Sequence, residues 1–158
     1  MGVEIERKFL VKKELFDKNG LTKNLIIQGF LSSKKERTVR VRITNNRGFL
    51  TIKGPSNSEG MRRYEWEQEL RLEEAQELMC LTEPGKIEKY RYTIKQGKHL
   101  FEVDEFLHEN AGLLLAEIEL SDENEVFEKP DWLGEEVTGF SKYYNAALSK
   151  LPFKHWQK

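Results

Sequence analysis

Apolar and charged residues alternate along most of this chain. From Val3 to Phe9 the apolar positions are Val3, Ile5 and Phe9, and Glu4, Glu6 and Lys8 stand between them. Period-two alternation marks a strand with one buried face. The pattern recurs over Thr38–Thr44, where Val39, Val41 and Ile43 oppose Arg40 and Arg42. In Phe49–Gly54, Leu50 and Ile52 alternate with Thr51 and Lys53. Tyr64, Trp66 and Leu70 share a face with Gln68, while Arg63, Glu65, Glu67 and Glu69 share the other. Tyr90, Tyr92 and Ile94 oppose Lys89, Arg91, Thr93 and Lys95. Phe101 and Val103 oppose Glu102 and Asp104, and Ala116, Ile118 and Leu120 oppose Glu117 and Glu119. Leu25–Leu31 is strand-like but shows no clean face.

These runs predict about eight strands, antiparallel because their connections are short. Helical spacing predicts three helices: Arg71–Leu81, a short one over Lys12–Lys18 that Asn19-Gly20 stops, and Ser141–Lys150. Pro130 suits the start of a short turn. Gly54–Gly60 reads as a mobile hairpin loop. The class is α+β, an antiparallel sheet with helices packed on its apolar face.

Composition narrows the function. The chain has 158 residues, which predicts one domain over 1–158. Charged residues make up 34%, yet 38% hydrophobic content is too much for a disordered chain. The net charge of -1 argues against a general nucleic-acid or membrane-surface binder. Cys80 stands alone, so neither an internal disulfide nor a cysteine-rich zinc site is available, and a reducing cytoplasmic setting fits. No stretch is apolar enough for a membrane span.

A charged strand face usually meets water. Here the polar positions are nearly all ionised, and like charges come in i,i+2 pairs: Glu4/Glu6, Glu65/Glu67, Glu117/Glu119, Arg40/Arg42, Lys89/Arg91. Such neighbours lie about 7 Å apart. They repel by ~0.6 kcal/mol in bulk water but by ~2.4 kcal/mol at an effective dielectric of ~20. On an open surface the pairs mean nothing. Turned into a closed sheet they demand counter-ions: a hard divalent cation for the carboxylates and a polyvalent anion for the Arg and Lys side chains.

The opening Glu4-Ile5-Glu6-Arg7-Lys8 resembles the start of the CYTH superfamily, the triphosphate tunnel metalloenzymes. So does the ordered set that follows: Arg40-x-Arg42, Lys53, Arg63-x-Glu65-x-Glu67, Lys89-x-Arg91, Glu102-x-Asp104, Glu117-x-Glu119 and Lys142-Tyr143-Tyr144-Asn145. The resemblance implies an eight-stranded antiparallel β-barrel, charged inside, apolar outside, with a few helices around it. It implies hydrolysis of a small-molecule triphosphate by a water activated with Mg²⁺ or Mn²⁺, inorganic tripolyphosphate first. The alternatives are thiamine triphosphate hydrolysis, with Trp66 or Trp132 as a stacking surface, adenylate cyclisation, or polyphosphate or nucleotide binding without catalysis.

Carried over, the resemblance makes Glu4, Glu6, Glu117 and Glu119 metal ligands, with Glu65, Glu67 and Asp104 near a second ion. Lys8, Arg40, Arg42, Lys53, Lys89 and Arg91 grip the triphosphate, and Lys142 closes over it. Glu4, Glu6, Lys8 and Lys89 form the catalytic set. Glu69 and Glu102 are expected in supporting salt bridges or solvent, and Arg7 in an outer ion pair. His99, His108 and His155 are expected at the surface, and Met79 and Cys80 in packing. An outer apolar surface would also give a homodimer a place to form.

Overall fold

The computed structural model describes residues 2–156. The strands are β1 (Gly2–Val11), β2 (Lys23–Ser32), β3 (Thr38–Thr44), β4 (Arg47–Ser56), β5 (Arg62–Leu70), β6 (Ile87–Gln96), β7 (His99–Phe106), β8 (Leu114–Glu119) and β9 (Leu133–Glu136). Eight of them run in the order β5-β4-β3-β2-β6-β7-β8-β1, and β1 pairs back onto β5 to close an antiparallel barrel. The ninth strand was not foreseen. It pairs with Phe9 and Val11 of β1, while β5 takes Gly2–Ile5 of the same strand.

Local chemistry explains the tight connections. Asn45 and Asn46 both take positive φ (52° and 59°) between β3 and β4, the two-residue turn whose twist matches a hairpin. The loop after β4 is shorter than expected. The strand continues to Ser56 through a bulge, and Asn57 then receives hydrogen bonds from Met61 and Arg62 backbone amides.

The apolar faces point outward and are covered over much of the barrel, though Val3, Leu25 and Tyr64 stay exposed. Helix α1 (Leu72–Met79) lays Ala75 and Met79 on Val41 of β3. Ile5, Phe9, Tyr92, Phe101, Val103, Ala116 and Ile118 form a second outer core under Trp132, Phe16 and Phe127. At one end the inward-facing positions also turn apolar. Ile87, Phe106 and Leu115 continue the faces that carry Lys89, Asp104 and Glu117, and Leu148 of α2 (Asn145–Lys150) packs on them.

The helix expectations hold unevenly. Lys12–Lys18 supplies only a 3₁₀ turn at Lys13–Leu15. Ser141–Lys150 divides into a 3₁₀ turn, Ser141–Tyr143, and α2, with extended backbone at Tyr144. Pro130 does begin a turn, closed by the Leu133 amide on its carbonyl at 3.1 Å. Among the described residues, no helix is long and apolar enough to cross a membrane.

Candidate active site

The barrel encloses a cavity of about 1080 Å³. Every predicted site residue lines it except Asp104 and Lys142. The charged faces therefore point inward, and the reading of a solvated outer face is set aside. Opposite walls carry opposite chemistry. β8, with Glu117 and Glu119, stands four strands from β3, with Arg40 and Arg42, in either direction around the eight-stranded closure.

The carboxylates stand in pairs across strands. Glu6 is registered with Glu119 and Lys8 with Glu117. Burial, reinforced by the negative charges of Glu117 and Glu4, pushes Glu6 well above the usual carboxylate range. Burial would raise Glu117 too, but Lys8, a hydrogen bond with Glu6, Arg91 and Lys89 outweigh it and hold Glu117 well below that range. The two neighbouring carboxyls are thus driven in opposite directions, Glu6 up and Glu117 down. A second pair follows the same logic. Burial and its bond with Glu4 raise Glu65, while Lys53, against the effect of burial, lowers Glu4. Glu119, at the rim, is raised by burial and by Glu4.

The cations are held by these carboxylates. Lys53 Nζ lies 2.9 Å from Glu4 and 3.5 Å from Glu65. Arg42 lies 3.5 Å from Glu67 and Arg40 4.0 Å from it. Arg91 reaches Glu117 at 3.8 Å and Glu102 at 3.4 Å. Lys8 is buried, its Nζ donating to the Tyr143 carbonyl. Burial, with Arg42 and Arg91 nearby, lowers Arg40 to about 10, and burial lowers Lys89 to about 8 despite Asp104. The Nε–H groups of Arg40 and Arg42 are buried and have no partner among the described residues. A buried donor without an acceptor is costly, and a phosphate oxygen answers it.

Several expectations need correction. Asp104 does not line the cavity. Its carboxylate accepts two bonds from Arg91, at 2.8 and 2.9 Å, and lies 2.8 Å from Lys89, so it is spent on fixing those cations. Lys142 is exposed and aimed elsewhere, its Nζ 4.5 Å from the centre of the Trp156 ring. Neither tryptophan offered for stacking reaches the cavity. Trp132 is packed edge-on against Phe16 and Phe101, and Trp66 pairs with Ile52 on the outer face. His99 is buried, with its Nε2 bonded to Glu125, whereas His108 and His155 are exposed. Cys80 is exposed at the end of α1, but Met79 is buried as expected.

Arg7 forms its outer ion pair, bidentate to Glu136 at 2.9 and 2.6 Å. Glu69 pairs with Arg47 at the surface. Glu102 pairs with Arg91 yet lines the cavity, where burial raises it. Arg63 lines it as well and was absent from the predicted set; its parity with Glu65 and Glu67 carried the signal. Tyr144 and Asn145 enter from the C-terminal segment, which no strand alternation could place.

A CYTH domain model matches residues 2–152. The chain belongs to the CYTH domain family. A relative from Acetivibrio thermocellus, named an inorganic triphosphatase, is 46% identical over 160 residues, covering all of both chains. An inorganic triphosphatase from Nitrosomonas europaea is 35% identical over 150 residues, 92% of this chain and 96% of that one. The crystal structure of an inorganic triphosphatase superposes with a TM-score of 0.65 at 33% identity, covering 92% of this CYTH chain and 97% of its own. A conserved hypothetical protein from Pyrococcus furiosus, 19% identical with a TM-score of 0.59, shares the CYTH fold over 77% of this chain and 80% of that one.

The donor set fits a hard divalent ion. Glu6, Glu117, Glu4 and Glu119 offer only oxygen, and the rise of Glu6 under burial and the charges of Glu117 and Glu4 is a cost that a nearby cation would relieve. Among the described residues, no three such groups converge into a ready-made cage.

Proposed function

We propose that this CYTH domain hydrolyses inorganic tripolyphosphate with Mg²⁺ or Mn²⁺. The observation that carries the reading is one enclosed cavity with a guanidinium wall on β3 facing a carboxylate wall on β8. The naming of relatives 46% and 35% identical as inorganic triphosphatases supports the choice of substrate. Trp66 and Trp132, the rings expected to stack on an organic triphosphate, do not line the cavity.

Lys8, Arg40, Arg42, Lys53, Lys89 and Arg91 bind the triphosphate oxygens. The free Nε–H groups of Arg40 and Arg42 take oxygens on the β3 side, and Lys53 exchanges Glu4 and Glu65 for phosphate. Glu4, Glu6, Glu117 and Glu119 hold the divalent ion, with Glu65 and Glu67 alongside. When bound, the ion supplies charge neutralisation and lowers the pKa of the attacking water. A divalent ion held there would favour the ionised form of Glu6, against the burial that raises it. Lys8 and Lys89 stabilise the charge that develops on the phosphoryl and leaving oxygens. The Arg40, Lys53, Lys89 and Arg91 side chains are largely shielded from water, which strengthens their contacts. Asp104 keeps Lys89 and Arg91 in place and takes no ion.

Phosphate release from tripolyphosphate, thiamine triphosphate and ATP, each with Mg²⁺, Mn²⁺ or chelator, tests the proposal. Tripolyphosphate is expected to be turned over fastest, and chelator to stop it. A folded protein inert toward all three with both metals would refute it.

A further inference from the structure

The segment that links the Ser141–Tyr143 turn to α2 touches two of the buried cations. Lys8 Nζ donates to the Tyr143 carbonyl at 3.3 Å and lies 5.3 Å from the centre of the Tyr144 ring. Lys89 Nζ donates to Asn145 Oδ1 at 3.0 Å. The same oxygen accepts a second bond, from Gln28 Nε2 of β2, at 2.9 Å. We propose that Asn145, held in place by Gln28, is a positioning residue that aims the Lys89 ammonium at the substrate. The inference rests on the triphosphatase reading.

Lys89 is 1% exposed, so its charge depends on protein partners. An ammonium has three N–H donors on a flexible stem. Asp104 Oδ2 lies 2.8 Å from it and takes one donor, and Asn145 Oδ1 takes another. The third remains for the cavity that Lys89 lines. Two fixed acceptors on different elements, β7 and the start of α2, define that third direction; Asp104 alone would leave the ammonium free to turn.

The neutrality of the second acceptor also matters. Lys89, Arg91 and Asp104 together carry one net positive charge. A carboxylate at position 145 would cancel it where an anion must bind. Gln28 makes sense only behind Asn145. It is fully buried and does not line the cavity, and its Oε1 has no partner among the described residues. A leucine would fill that space without an orphaned acceptor. What Gln28 adds is one bond that keeps Oδ1, rather than Nδ2, turned toward Lys89.

The test compares Asn145→Asp, Asn145→Ala, Gln28→Leu and the Gln28→Leu/Asn145→Ala double variant with the wild type. Steady-state kinetics on tripolyphosphate are read beside the rise in Tm that tripolyphosphate gives in chelator, which reports anion binding without turnover. Asn145→Asp is expected to keep its fold, raise KM about tenfold or more, and shrink the Tm rise, with a smaller change in kcat. Gln28→Leu is expected to move KM in the same direction, and the double variant to be no worse than Asn145→Ala. Wild-type KM and kcat in Asn145→Asp would overturn the proposal. So would losses from Gln28→Leu and Asn145→Ala that simply add. A wild type that neither turns over tripolyphosphate nor gains Tm from it would overturn the triphosphatase reading and this role together, a pattern that none of the variant results can mimic.

Discussion

Lys89 shows what burial does to a single functional side chain. Its ammonium is lowered from 10.5 to about 8 by burial, with Asp104 pulling the other way. Under the proposed function the charged form would grip phosphate, so kcat/KM is expected to fall as pH rises through about 8, the value belonging to the free protein. Asp104→Asn removes the group that supports the charge, and the falling limb should move to lower pH. A limb that stays put would contradict the assignment. Stability runs the opposite way. The unfolded chain holds this proton up to its ordinary value, so between about 8 and 10.5 the Lys89 contribution makes the fold more stable as pH rises. Arg63 and Lys142 offer a second contrast. Lys142 stacks outside over Trp156, whereas Arg63 lines the cavity. Lys142→Ala is expected to leave KM for tripolyphosphate within about twofold, and Arg63→Ala to raise it by about tenfold, as loss of a charged hydrogen bond does; the reverse order in steady-state kinetics would restore Lys142 to the site. Strand parity made most of the site legible because i and i+2 share a face by covalent geometry alone. Asp104 escaped that logic: parity turns it inward, but only packing shows that Lys89 and Arg91 consume both of its oxygens.

At the level of elements, alternation over Val3–Phe9 or Lys89–Lys95 located strands well, since each buries one face continuously. The short helices were less legible. Ser141–Lys150 has helical spacing, yet Tyr144 adopts extended backbone and turns Asn145 toward Lys89. β9 is Leu-Gly-Glu-Glu, with no alternation to betray it; it forms because the far half of β1 has an open edge that β5 does not reach. Gly134 fits there because a Cβ would lie 2.9 Å from the Leu10 carbonyl oxygen. The seat of α1 depends on another glycine. A Cβ on Gly48 of β4 would come within 2.3 Å of the Ala75 Cβ. Gly48→Ala is therefore expected to cost about 1–3 kcal/mol by chemical denaturation, as overpacking does. Wild-type stability would show that α1 shifts freely on the barrel.

The whole molecule turns the usual sheet inside out: oil outside under α1 and the loops, ions within. That inversion was legible only through the ordered charged motifs, because alternation by itself does not say which face is enclosed. Closure decides it, and closure is a long-range pairing of β1 with β5. An enclosed carboxylate cluster is built for a ligand at the expense of the empty barrel. Glu6 exposes that tension most clearly, since burial and the charges of Glu117 and Glu4 push it well above the usual carboxylate range. Glu6→Gln preserves the shape and the hydrogen bond to Glu117 but removes the ability to ionise. Phosphate release by Glu6→Gln from tripolyphosphate with Mg²⁺ or Mn²⁺, measured with its Tm on the same sample, tests the account most directly. The expected result is a Tm at or above that of the wild type and turnover reduced more than about 100-fold. Wild-type turnover at wild-type Tm would contradict it.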